Sequence, residues 1–269
     1  MIERFLNRTE FTGYEDFCKG FHVNVPNRFN FGYDVVDAWA AEEPQREALL
    51  WTDDKGAERR FTFGELKKLT DSTASWFQSL GIGRGDRVML MLKRHYQFWF
   101  AILALHKIGA VAIPATNLLL KSDFEYRFKA GNVDAILCTA DGPVSREVDK
   151  ACRSYKNLKV KIMVGASRKG WRSFNKEVKY FSSHFRRPHG ENAIHGDDPS
   201  IMFFTSGTTS YPKITTHNFK YPLGHYVTAK YWHQVDPDGI HFAISDTGWG
   251  KALWGKIYGQ WLCEACIFT

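Results

Sequence analysis

The chain has 269 residues, 44% of them hydrophobic and 15% aromatic, with 24% charged. That balance suits one large or two ordinary globular domains and excludes a disordered or collagen-like chain. The formal net charge of +7 favours anionic partners, but the basic residues are dispersed as on a solvated surface, which argues against nucleic acid. No apolar run approaches the length needed to cross a bilayer; the longest, from Phe98 to Pro114, is interrupted by His106 and Lys107. The N-terminal stretch carries Glu3 and Glu10 without an apolar core, unlike a secretory signal. Five cysteines in no disulfide-like spacing point to a reducing, cytoplasmic setting.

From Arg60 the pattern alternates between helix and strand. Thr62 and Glu65 have the spacing of a capping box, and a helix from there to Leu80 places Leu66, Leu69, Thr73, Trp76 and Phe77 on one side, with Gly81 as its stop. Val88–Leu92 reads as a strand, Tyr96–Ile108 as a helix ending at Gly109, and Val111–Pro114 as a second strand. Ser122 and Glu125 offer another box, Gly131 another stop, and Ala135–Cys138, Leu158–Val164 and Ile201–Phe204 further strands. The stretch from Gly165 to Pro199 is the least orderly. This alternation predicts an α/β fold with mainly parallel sheets covered by helices.

The segment Ile201–Asn218 carries the chemistry. A buried strand, Ile201–Phe204, runs into Thr205, Ser206, Gly207, Thr208, Thr209 and Ser210, then Pro212 and Lys213, with a helix expected to begin at His217–Asn218. Small residues allow close backbone approach, hydroxyls and N–H groups donate to oxygen, and Lys213 neutralises charge, so the series reads as a phosphate cradle. The Walker A spacing is absent. An ordinary Ser/Thr-rich surface turn is the bland alternative. Cys263 and Cys266 form a CxxC within an apolar segment, and without a second such pair the reading is buried structure rather than a metal or redox site. The histidines show no metal-ligand spacing, so no metal-binding residue is assigned.

TSGTTSYPK resembles the TSGTTGxPK signature of the adenylate-forming (AMP-binding) enzymes, which include acyl-CoA synthetases, luciferases and peptide-synthetase adenylation domains. RFTFGEL at Arg60–Leu66 is similar to an early family segment, and Lys107, Gly109, Ala110 and Pro114 match its KxGAxxxP segment. SDTGW at Ser245–Trp249 resembles a segment of the medium-chain and acetyl-type acyl-CoA synthetases, and His217 stands where the medium-chain synthetases place a histidine. The resemblance implies an N-terminal extension over 1–30 and an N-terminal AMP-binding domain over 31–269, incomplete at its end because the family's later motifs are missing. It implies a carboxylic acid–CoA ligase using ATP, Mg2+ and coenzyme A on a small carboxylate, inactive as this chain alone. Thr205 to Ser210 and Lys213 would bind the nucleotide phosphates, with Lys213 aiding catalysis, while Trp249 and His217 would border the acid. Ser210 replaces a family glycine. Another adenylate-forming branch, or a non-catalytic nucleotide-binding module, is the competing reading; the oligomeric state stays open.

Overall fold

The computed structural model describes residues 1–205 and 211–269. Its strands are β1 (Glu47–Thr52), β2 (Glu58–Thr62), β3 (Arg87–Met91), β4 (Val111–Pro114), β5 (Ala135–Thr139), β6 (Val160–Val164), β7 (Arg172–Ser173), β8 (Pro199–Thr205), β9 (Lys213–Asn218), β10 (Ile240–Phe242) and β11 (Cys266–Phe268). Among the described residues they form a seven-stranded sheet in the order β7-β6-β5-β3-β4-β8-β9 and a four-stranded sheet in the order β10-β11-β1-β2. The larger sheet is parallel except for β8 against β9, and the smaller is antiparallel only between β1 and β2. The expected α/β class, mainly parallel sheets covered by helices, is what the chain adopts.

Local chemistry explains most of the helix boundaries. Thr62 and Glu65 make the reciprocal capping box that starts helix Phe63–Ser79, with Glu65 N donating to Thr62 Oγ1 at 3.2 Å and Thr62 N to Glu65 Oε2 at 3.0 Å. Helix Gln97–Ile108 ends at Gly109 in the left-handed conformation, φ 76°, which an L side chain adopts only at a cost. All twelve of its residues are buried, as befits a helix apolar on every side. The next helix, Lys121–Gly131, starts earlier than the Ser122 box implies, because the Asp123 carboxylate accepts from Leu120 N at 2.9 Å. It is closed by Asn132 in the left-handed region, φ 45°, rather than by Gly131. Asn tolerates that conformation because its side chain can bond locally.

One buried charge cluster ties the layers together. Lys107 is fully buried and its Nζ donates to Asp37 Oδ1 and Asp71 Oδ1, each at 2.6 Å. Lys67 pairs with the other oxygen of Asp71, so the fully buried Asp71 carboxylate carries a cation on each side. Residues 1–30 join the same core: Ile2, Phe5, Leu6 and Phe29 pack within it, and the Met1 amino group meets Glu264 at 2.9 Å. The CxxC segment is buried, and burial pushes the Cys263 and Cys266 thiols up to about 12 and about 11. Such thiols stay protonated and unreactive near neutrality. No helix of the described residues is long and apolar enough to cross a membrane.

Candidate functional site

The principal difference from the sequence reading lies after the hydroxyl-rich loop. Instead of a helix starting at His217–Asn218, the residues Lys213–Asn218 form β9, antiparallel to β8 with Phe203 opposite Thr215 and Ile201 opposite His217. Thr215 and Thr216 are β-branched and favour the extended chain, and the partner strand supplies hydrogen bonds that a local pattern does not reveal. The first helical turn comes later, at Tyr221–Gly224. Thr205 and Lys213 face each other across the two strands. The positions assigned to phosphate between them, Ser206, Gly207, Thr208, Thr209 and Ser210, lie outside the described residues.

A cavity of about 610 Å³ opens beside this hairpin. β8 supplies Phe203, Phe204 and Thr205, and β9 supplies Thr215 and His217. Pro114, Ala115 and Thr116 follow from β4, with Leu119 and Arg127 nearby, and Gly248, Trp249 and Gly250 close the far side. The strand Ile201–Phe204 is therefore only half buried: Ile201 and Met202 face the core, while Phe203 and Phe204 keep partial exposure along the cavity.

Three of the residues singled out in the sequence thus meet in one place: Thr205, His217 and Trp249. Trp249 is 62% exposed, which excludes a role as an ordinary core tryptophan; Trp261 is fully buried, and Trp254 is half-buried against the His233 ring at 5.6 Å. His217 is half-buried, its ring 4.0 Å from that of Tyr221, and burial holds its pKa below the ordinary value. It therefore stands neutral at pH 7, an aromatic wall that also offers a ring nitrogen. Lys213 is exposed at the start of β9, outside the cavity lining, and makes no ion pair among the described residues.

The loop that presents Trp249 is held by its own sequence. Asp246 Oδ1 accepts from Gly248 N at 2.8 Å, an Asx-type turn that caps nothing but shapes the approach to helix Gly250–Lys256. The buried Thr247 hydroxyl donates to the Lys93 carbonyl. Gly248 lies against backbone: a Cβ there would stand 2.5 Å from the carbonyl of Ala115 and 2.6 Å from Thr116 N. This contact joins the SDTGW segment to the end of the KxGAxxxP segment, two stretches that lie far apart in the chain.

Sequence reasoning missed Tyr221, Arg127 and Phe203. Tyr221 belongs to no motif, and Arg127 lies mid-helix with its guanidinium 5.4 Å from the Phe204 ring. The same helix steadies the end of the loop, where Tyr126 Oη donates to the Pro212 carbonyl at 2.8 Å and its ring stacks on Tyr211.

Comparison with known proteins fits this geometry. The human acyl-coenzyme A synthetase ACSM3, mitochondrial, is 33% identical over 276 residues, covering 98% of this chain and 46% of the relative. The Rattus norvegicus acyl-coenzyme A synthetase ACSM4, mitochondrial, is 33% identical over 253 residues, covering 91% and 43%. This chain therefore spans about half the length of the curated relatives it matches. The crystal structure of the anthranilate CoA ligase AuaEII with anthranoyl-AMP superposes with a TM-score of 0.79 at 18% identity, over 91% of this chain and 46% of that one. The Brucella canis acyl-CoA synthetase superposes at 0.76 with 21% identity, over 89% and 42%; both likenesses speak to the fold. The mitochondrial relatives overturn the cytoplasmic expectation and point to the mitochondrion. Unpaired cysteines indicate a reducing compartment, and that chemistry does not separate one such compartment from another. The family model for AMP-binding enzymes matches residues 36–267, and the chain belongs to the AMP-binding enzyme family.

Proposed function

We propose that this chain carries the nucleotide loop and one side of the acid pocket of a carboxylic acid–CoA ligase. The reading rests on one observation: the strand end at Thr205 and the Gly248–Trp249 turn line the same cavity. A carboxylate held there lies beside Thr205, the last described residue before the loop.

In the proposed reaction a carboxylate oxygen attacks the α-phosphorus of ATP, and the bond from that phosphorus to the α,β-bridging oxygen breaks, its electron pair leaving with pyrophosphate. The thiol of coenzyme A then attacks the acyl carbon, forming the thioester and releasing AMP. The attacking carboxylate is already ionised, so the first step needs no general base; Asp246, engaged with Gly248 N, has a structural part. The chain's own contribution is to hold two anions together and exclude water. Phe203, Leu119, Trp249 and Tyr221 surround the acid's apolar part, and Arg127 brings positive charge to the same cavity. Lys213, free of ion pairs among the described residues, stands at the base of the loop to neutralise phosphate charge. Magnesium accompanies ATP as the nucleotide's counterion, and no step here is routed through it. The reading in which the chain merely binds nucleotide gives no account of the apolar lining beside the loop.

The test is acid-dependent ATP–pyrophosphate exchange by the intact protein, in wild type and in Lys213→Ala. The lysine's loss is expected to weaken nucleotide binding or exchange by about 1.5–3 kcal/mol, the usual worth of a charge-assisted hydrogen bond. Exchange that does not depend on added acid would defeat the ligase reading; unchanged exchange in the variant would remove Lys213 from the phosphate site.

A further inference from the structure

One lining ring of the cavity also packs against rings outside the lining. Tyr221 lines the cavity, and the tyrosine ring lies 4.0 Å from His217, 4.4 Å from His225 at 82°, and 6.0 Å from Tyr258 at 88°. His225 and Tyr258 are not part of the lining. Tyr258 is fully buried on helix Tyr258–Leu262, and its hydroxyl lies 2.7 Å from His106 Nε2. One phenol therefore separates the pocket from a buried polar array made of His225, Tyr258 and His106.

That array is under-satisfied. His225 Nε2 and His106 Nδ1 are buried without a hydrogen-bond partner among the described residues. Burial pushes the two imidazoles down to about 4 and about 3, so both are neutral near pH 7. Cores rarely leave such atoms unpaired unless the site has another use. The Tyr221 hydroxyl also has no hydrogen-bond partner among the described residues, so the ring is held by packing and can be trimmed without stranding a partner.

Resting on the ligase reading, we propose that Tyr221 is the specificity-determining floor of the acid pocket. The substrate is a compact carboxylate whose tail ends against this ring, and His225 Nε2 waits behind it as a hydrogen-bonding end wall. Removing the ring lengthens the pocket toward a polar terminus, so the longer acids admitted are favoured when they end in a hydroxyl.

The test compares straight-chain carboxylates of increasing length, with and without a terminal hydroxyl, in wild type, Tyr221→Phe, Tyr221→Ala and Tyr221→Ala/His225→Leu. Two readouts are used on the intact protein: kcat/KM for acid-dependent pyrophosphate exchange, and acid binding followed by tryptophan fluorescence. Tyr221→Phe keeps the ring and should keep the wild-type length profile. Tyr221→Ala should shift the preference toward longer acids by about tenfold or more, the scale on which a pocket reads added methylenes. The ω-hydroxy acid should outdo its alkyl counterpart in Tyr221→Ala, and His225→Leu should reverse that order. If Tyr221→Ala does not fold, Tyr221→Leu takes its place. A folded variant with the wild-type length profile in both readouts overturns the proposal while leaving the ligase reading standing. Wild-type protein that binds no acid and shows no acid-dependent exchange overturns the ligase reading and the proposal with it.

Discussion

Residue 248 has no room for a side chain, and a methyl group there should disturb the acid pocket more than its size suggests. A Cβ on Gly248 would lie 2.5 Å from the Ala115 carbonyl carbon and oxygen and 2.6 Å from Thr116 N. Ordinary contact begins near 3.4 Å, so the two segments must part by close to an ångström. The obstacle is backbone, which cannot swing aside as a flexible side chain does. Overpacking of this kind costs about 1–3 kcal/mol. In a chain of this size that lowers Tm by about 2–4 °C for each kcal/mol. The loop is also fastened by Thr247 to Lys93 and by Gly248 N to Asp246, so the strain falls on Trp249 and the mouth of the cavity. Passed wholly to substrate binding, it amounts to about a 5- to 150-fold loss in kcat/KM. Gly250→Ala is the control two residues away: its Cβ would meet the Phe203 ring at 3.7 Å, an ordinary contact, within a helix where Ala is preferred to Gly. The assay is thermal melting together with pyrophosphate exchange for both variants. Equal behaviour of Gly248→Ala and Gly250→Ala would show that the turn relaxes freely and that the packing argument is wrong.

Two further outcomes are expected. Lys107→Met leaves the Asp71 and Asp37 carboxylates without their shared buried cation; the cost is about 3–5 kcal/mol, read as a lower denaturant midpoint, with much of it recovered by adding Asp71→Asn. The pH dependence has a defined sign. His225 and His106 have folded pKa values depressed to about 4 and about 3 from 6.5, so between those values the unfolded chain binds more protons. Their contribution to stability is complete above about pH 6.5 and is lost as pH falls toward 4 and then 3. Tm measured across that window should fall less steeply in His225→Gln than in wild type, and parallel profiles would count against a buried neutral His225.

Much of the fold is written in local patterns. The Thr62–Glu65 box, the left-handed Gly109 and the apolar circumference of Gln97–Ile108 concern residues within a turn or two of each other, so spacing alone exposes them. The family is legible for the same reason, because TSGTTSYPK and SDTGW are contiguous. Where a local rule had a neighbour to compete with, the boundary moved: Asp123 outbid Ser122, and Asn132 took the conformation expected of Gly131. The conformation of Lys213–Asn218 was not legible, since hydrogen bonds to β8 decide it and no local period encodes a partner strand. Nor did any pattern pair Lys107 with Asp71 and Asp37, which lie 36 and 70 residues away. A buried cation selects its anions by proximity in the folded chain. The pocket is the clearest case: the sequence named Thr205, His217 and Trp249 separately, while the antiparallel turn of β9 and the side-chain-free contact at Gly248 brought them together. Tyr221 entered the site only through that assembly, because a tyrosine in a short helical turn has no signature until the cavity on one side and the buried imidazoles on the other give its ring a position.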